Sequence, residues 1–314
     1  MNVRRQHISG VAVAAVTALG LATLSACSDS AAAGNTEKFD VVASFYPMAF
    51  LAEQVGGEHV NVTSLTEPGQ EPHDLEISAK QTAQLQESDA ALYLKGLQPS
   101  VDEAISQSGV GTKIDAATLT SLEDHGGAED SHGHEHEHEE GGKDPHVWLD
   151  PVKYAEIAEG VGAAFEKADP DHAADYKKNT AALVGKLNDL NTRFEDGLKN
   201  TDSKVFFTNH AAFGYLAERY GLTQEAISGV DPESEPSAAR MKELQEEAKA
   251  DGVTTVFYET LVSDKTAKTL ADDAGLKTDV LDPLEGITDK SRGDDYIQVM
   301  DSNLKALQAA LGAK

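Results

Sequence analysis

Leu183, Leu187, Leu190, Phe194 and Leu198 recur at three- and four-residue steps and draw one apolar stripe along a stretch that opens at Asp169-Pro170. This period describes a single long helix with one buried face. At ~1.5 Å per residue, a helix of about 30 residues spans roughly 45 Å, enough to cross a whole domain. Any fold of this chain has to be arranged around that rod.

On both sides of it, short β-type runs alternate with helical ones. Before it, residues 39–45, 60–66 and 90–95 read as strands, and 48–55 and 81–85 as helices. Asp150 caps a further helix, with Pro151 at its first position, that runs to about Lys167. After it, residues 204–208, 225–228, 254–258 and 278–281 read as strands, and 211–219, 237–249, 265–274 and 294–311 as helices. Such alternation implies an α/β protein with mainly parallel sheets flanked by helices. The expected layout is two lobes, residues 39–167 and 201–314, joined by one long rigid helix over 168–200.

The N-terminus has a different character. Arg4 and Arg5 precede an uncharged apolar run that ends Leu24-Ser25-Ala26-Cys27. A basic start, an apolar stretch and a small-residue cleavage site describe a secretory signal over residues 1–26. The run is at the short end for a spanning helix and no charged stop follows it. Cys27 is the only cysteine, which excludes an intramolecular disulfide and a thiolate metal site. The sequence LSAC resembles a bacterial lipobox, which implies cleavage before Cys27 and lipidation of its sulfur. Two acyl chains, at roughly 0.8 kcal/mol per buried CH₂, hold firmly where one is marginal. Residues 27–38, small and polar, then form a tether.

The formal charge is −28. Removing residues 1–26 takes away Arg4 and Arg5 and no acid, so the mature chain is still more acidic. Such a surface repels nucleic acid and anionic lipid and attracts cations.

Residues 123–142, EDHGGAEDSHGHEHEHEEGG, interrupt the first lobe. The segment has no hydrophobic period and nothing apolar beyond one alanine, so it reads as a mobile surface loop. Its five histidines, His125, His132, His134, His136 and His138, can hold metal weakly alongside the carboxylates. His134 to His138 also satisfies H-E-x-x-H. That motif works only where a helix places both histidines on one face, and a low-complexity run between glycines does not supply one.

Three other histidines stand at equivalent places. His73 lies beyond the strand ending near Thr66, His146 lies just before the helix capped by Asp150, and His210 directly follows the strand 204–208. Ligands of open α/β sheets gather beyond the carboxyl ends of strands. Two histidines from the first lobe and one from the second can therefore converge, and neutral imidazoles suit Zn²⁺, which prefers tetrahedral N/O/S sites.

The segments PHDLE, DPHVWLDP, FTNHAAFGYLAERYGL, FYETLVSD and LDPLEG occur in this order across nearly the whole chain after the tether. Together they resemble the zinc-binding lipoproteins of ABC importers, including the His- and acid-rich loop just before DPHVWLDP. The resemblance implies two α/β lobes bridged by a rigid helix, with metal in the cleft between them. Carried over motif by motif, it implies His73, His146 and His210 as ligands, with Glu285 of the PLEG-like segment as the fourth and Asp282 as its alternative. Some relatives place an acid immediately before the first histidine; here that position is Pro72, and Glu71 is displaced by one. Manganese-binding relatives carry a carboxylate where this chain has His210, so the histidine favours zinc. Glu259, Tyr46 and Tyr258 stand near strand ends, and Glu259 is placed to orient a ligating histidine.

The function this implies is a monomeric, lipid-anchored receptor on the outer face of the cytoplasmic membrane. It would bind zinc as cargo, pass it to an ABC importer permease and catalyse no reaction. A manganese or iron receptor of the same fold and a zinc hydrolase are the competing readings. A hydrolase would need three ligands, an exchangeable water and a general base.

Overall fold

The computed structural model describes residues 38–125 and 143–314. The expected signal, Cys27, almost all of the tether and the histidines at 132, 134, 136 and 138 lie outside the described residues. No helix among those described is long and apolar enough to cross a membrane.

The first half contains β1 (Phe39–Ala43), α1 (Tyr46–Gly56), β2 (Val60–Ser64), α2 (Ala79–Glu87), β3 (Ala90–Tyr93), α3 (Pro99–Gln107), β4 (Thr112–Asp115) and α4 (Pro151–Ala168). The rod is α5 (Ala173–Leu198). The second half contains β5 (Val205–Thr208), α6 (Gly214–Tyr220), β6 (Thr223–Ala226), α7 (Ala238–Ala250), β7 (Thr255–Tyr258), α8 (Lys265–Ala274), β8 (Lys277–Val280) and α9 (Tyr296–Leu311). Each half builds a four-stranded, wholly parallel sheet, in the orders β2-β1-β3-β4 and β6-β5-β7-β8. The registers that set the central strands are Val41 opposite Ala90 and Phe207 opposite Val256.

Alternation along the strands decides which core each side chain enters. Val41 and Ala43 point into a central cluster, while Val42 joins Leu65, Leu85 and Ile105 on the outer face. In the second sheet Phe206 and Phe257 point centrally, and Phe207 and Val256 pack outward with Leu244 and Leu270. The central cluster runs without a break through both halves and includes the whole stripe of α5. Helix α5 packs on α1 and α4 from the first half and on α9 and α6 from the second.

Three local features lock this arrangement. Gly162 on α4 faces Thr180 on α5, and a methyl group added there would overlap the threonine side chain. Asp150 caps α4 by accepting from the Val152 N–H at 2.9 Å, and its other oxygen pairs with the Arg219 guanidinium at 2.6 Å. The Trp148 indole donates to the Pro283 carbonyl at 2.7 Å, while the Tyr296 hydroxyl donates to the Trp148 carbonyl at 2.6 Å. These two bonds tie the DPHVWLDP segment to the second half.

Elements α3 and β4 were not expected from the sequence. β4 buries Ile114 alone among its four residues, so it carries no alternating pattern to read.

Candidate metal centre

His73 sits in the loop after β2, His146 at the start of the 3-10 turn Val147–Leu149 that leads into α4, His210 just beyond β5, and Glu285 in the loop after β8. All four lie beyond carboxyl ends of strands or at the start of a helix, and the fold brings them into one cluster. Glu285 Oε1 lies 3.2 Å from His73 Nε2, 3.2 Å from His146 Nε2 and 3.4 Å from His210 Nε2. The two ring nitrogens of His146 and His210 are 3.4 Å apart. Zinc bonds of 2.0–2.1 Å at tetrahedral angles require ligand atoms about 3.3–3.4 Å from one another. His146, His210 and Glu285 are fully buried, and His73 retains 12% of its side-chain exposure at the edge.

Carboxylates aim two of the rings. Asp144 Oδ1 lies 2.8 Å from His146 Nδ1 and Glu259 Oε1 2.7 Å from His210 Nδ1, which leaves both Nε2 atoms pointing at Glu285. This is the usual way a ligating imidazole is fixed in tautomer and orientation. Asp144 escaped the sequence reading; its signal was its place two residues before a histidine, from which its carboxylate also accepts the His146 backbone N–H at 2.9 Å. Tyr46 packs on Phe50, and the Lys268 ammonium lies over the Tyr258 ring.

The electrostatics suit a cation. Burial alone would lower the pKa of His146, but hydrogen bonds to Asp144 and Glu285 raise it above the ordinary value. At His210 burial again pulls downward, and the charges of Glu259 and Glu285 outweigh it, holding the pKa well above 6.5. Burial would raise the Glu285 carboxyl, yet the surrounding histidines hold it well below the usual range. Burial and the nearby Glu285 charge push Glu71 up to about 8. One oxygen each of Glu71, Glu259 and Glu285 is buried without a hydrogen-bond partner. Buried acceptors left unpaired are costly, and a cation in their midst relieves the cost.

Asp282 is placed differently from Glu285. Its carboxylate accepts the Leu284 N–H at 2.9 Å and the Thr260 hydroxyl at 3.2 Å, and it stays outside the cluster. Between the two acids, Leu284 adopts a left-handed backbone with φ of 60°, the only non-glycine among the described residues to do so. This conformation is strained for leucine. It turns the chain so that Asp282 holds the loop and Glu285 faces the histidines. Glu71 accepts the His73 N–H at 2.9 Å, bracing the loop that carries that histidine.

Residues 123–125, expected from the sequence to belong to a mobile loop, are held in place by the fold; residues 126–142 lie outside the described residues. The Asp144 N–H donates to the Glu123 carbonyl at 2.9 Å, and the Tyr215 hydroxyl accepts from the Glu123 N–H at 2.8 Å and donates to the Asp144 carbonyl at 2.8 Å. His125 packs edge-on against Tyr215 and bonds Asp144 and Glu218. The partners that hold this neck come from α6, about ninety residues away, beyond the reach of local composition.

Residues 41–310 match the family described as "Zinc-uptake complex component A periplasmic", ZnuA. The chain belongs to the ZnuA family. Among ZnuA-type relatives it is 40% identical over 294 residues to the zinc-binding lipoprotein AdcA of Streptococcus pneumoniae, covering 91% of this chain and 58% of AdcA. It thus spans little more than half of that relative's length. It is 36% identical over 310 residues to the high-affinity zinc uptake system protein ZnuA of Bacillus subtilis, covering 93% of this chain and 94% of that one. The solved Zn(II)-bound ZnuA-like domain of S. pneumoniae AdcA is similar with a TM-score of 0.73 at 37% identity, over 87% of this chain and 99% of that domain.

Proposed function

We propose that this ZnuA-family chain is an extracytoplasmic receptor that binds Zn²⁺ as cargo and delivers it to an ABC importer permease. The observation that carries the reading is the closed set of His73, His146, His210 and Glu285, with ligand atoms at tetrahedral zinc spacing and the rings of His146 and His210 fixed by buried carboxylates. Three imidazoles and one carboxylate suit zinc better than manganese, whose preferred ligands are oxygen.

The site is a receptor's rather than an enzyme's. Four protein ligands close the tetrahedron and leave no position for an activated water, which a zinc hydrolase requires. Cargo release then depends on the cleft between the lobes, where residues from both halves meet. Membrane attachment is assigned to lipid on Cys27 at the outer face of the cytoplasmic membrane, with the chain acting as a monomer. His132, His134, His136 and His138 would collect zinc loosely from a loop that begins and ends beside the site.

Elemental analysis of the purified protein, followed by competition titrations of zinc against manganese and iron, tests this reading. One tightly held zinc, displaced by manganese only at large excess, is the expected result. Equal competition by manganese would transfer the chain to the manganese receptors.

A further inference from the structure

We propose that Gln224, on the edge strand β6, is a positioning residue of the metal centre: its side-chain amide holds the turn that delivers His210. This role rests on the reading of His210 as a zinc ligand. β5 ends at Thr208, and before α6 begins at Gly214 the chain must leave the sheet and present a buried imidazole. Gln224 stands opposite Phe206 in the parallel register and reaches along the strand to this turn. Its Nε2 donates to the His210 carbonyl at 2.9 Å and to Thr208 Oγ1 at 2.6 Å, and its Oε1 accepts the Phe213 N–H at 3.1 Å. The amide fits only one way round, because a backbone N–H can only donate and a carbonyl can only accept.

These bonds supply what the main chain leaves open. Main-chain bonds hold the residues on either side of His210: the Ser228 N–H donates to the Asn209 carbonyl at 2.9 Å, and the Ala211 N–H donates to the Gly229 carbonyl at 3.0 Å. The His210 carbonyl is fixed from within the turn by the Ala212 N–H at 3.0 Å and the Thr208 hydroxyl at 2.8 Å, and from another strand by Gln224. Phe213, the residue before α6, makes no side-chain cap of its own. Gln224 accepts its N–H instead, as the glutamine of a capping box does from within a helix. One amide thus gathers both ends of the turn around the residue that carries the imidazole.

The ring needs this support. Glu259 lies at His210 Nδ1 and sets which way the imidazole faces, but a bond at the ring does not fix where the backbone beneath it stands. A metal site requires its ligands to be held within about 0.5 Å of the productive geometry. Gln224 and Glu259 therefore divide the task, one placing the backbone and the other aiming the ring.

Zinc affinity of the full chain, measured by competition with a chromophoric chelator, tests the role. Gln224→Glu keeps the size and the acceptor for Phe213 and removes the donor to His210. Gln224→Met keeps the length and brings no charge, so a loss common to both is not an effect of charge. Each is expected to weaken zinc binding by about 10-fold. Because the effect runs through His210, each should cost a similar factor in a His73→Ala background and nothing further in a His210→Ala background, since independent sites add and coupled ones do not. A general loosening of the protein would cost the same factor in all three backgrounds. Unchanged affinity in both Gln224 variants, or an equal loss with and without His210, overturns the proposal. His210→Ala by itself reads the underlying assignment: wild-type affinity in that variant removes His210 from the ligands, and the positioning role with it, whereas a weakened His210→Ala beside unaffected Gln224 variants overturns the positioning role alone.

Discussion

Asp144 grips His146 twice, its Oδ1 accepting the backbone N–H at 2.9 Å and lying 2.8 Å from the ring Nδ1. The carboxylate, buried and held down to about 2 by its histidine partners despite the opposing effect of burial, stays charged at all physiological pH. It therefore fixes both the loop and the imidazole in the state that a metal needs.

Removing the charge while keeping the shape should show what that grip contributes. Asp144→Asn and Glu259→Gln are each expected to weaken zinc binding by about 10–100-fold, the usual effect of losing a carboxylate behind a ligating histidine. Competition against a chromophoric chelator measures it. Unchanged affinity in both variants would mean that the rings are positioned by packing alone.

Substitution of the proposed ligands should produce a graded series. His146→Ala and His210→Ala, at fully buried positions, are expected to lose zinc affinity by orders of magnitude, and His73→Ala likewise. Glu285→Ala keeps three imidazoles and admits water, so its loss is smaller. Asp282→Ala should act on stability rather than on affinity, because its carboxylate holds the Leu284 turn. Titration and thermal melts of the series separate the two effects. Zinc loss in Asp282→Ala comparable to that of a histidine variant would contradict the assignment.

The raised pKa values of His146 and His210 set a pH window. Zinc must displace protons from both Nε2 atoms, so affinity should begin to fall on acidification above the ordinary imidazole value of about 6.5. Metal-free stability has the opposite sign. Both folded-state values lie above the unfolded one, so the contribution of these histidines is fully present below pH 6.5 and is lost as pH rises through the raised values. Zinc titrations and metal-free melts between pH 5 and 9 test both trends, and a zinc affinity flat down to pH 6 would contradict the first.

At the α4–α5 crossing, Gly162→Ala is expected to destabilise the protein. The added methyl overlaps Thr180, and overpacking of this kind costs about 1–3 kcal/mol, against roughly 1 kcal/mol regained in helix propensity. Chemical denaturation reads the net loss. Gly162→Ala paired with Thr180→Ala, which removes both the hydroxyl and the methyl it would meet, should recover part of it.

For the anchor, Cys27→Ser should leave folding and zinc binding intact and release the protein from the membrane. Detergent partitioning of the variant decides the matter; continued recovery in the detergent phase would remove Cys27 from the assignment.

Much of the architecture was legible before any coordinates. The stripe from Leu183 to Leu198 announced α5 because a buried helical face repeats at a fixed local period, and all five residues are buried. Strand–helix alternation announced two parallel sheets for the same reason, and His73, His146 and His210 stood out because each adjoins a strand end or a capped helix. What the sequence could not settle depends on backbone turns and on distant partners. Asp282 and Glu285 sit three residues apart in LDPLEG; the resemblance favours Glu285 and leaves Asp282 as the alternative, and the left-handed turn at Leu284, which has no sequence signature in a leucine, turns Glu285 toward the histidines. His125 reads as one more residue of a polar loop until Tyr215 and Glu218 of α6 arrive beside it. Local periodicity is a property of neighbours along the chain and can be read there; the aim of a buried carboxylate or imidazole is set by contacts that exist only once both lobes have closed around α5.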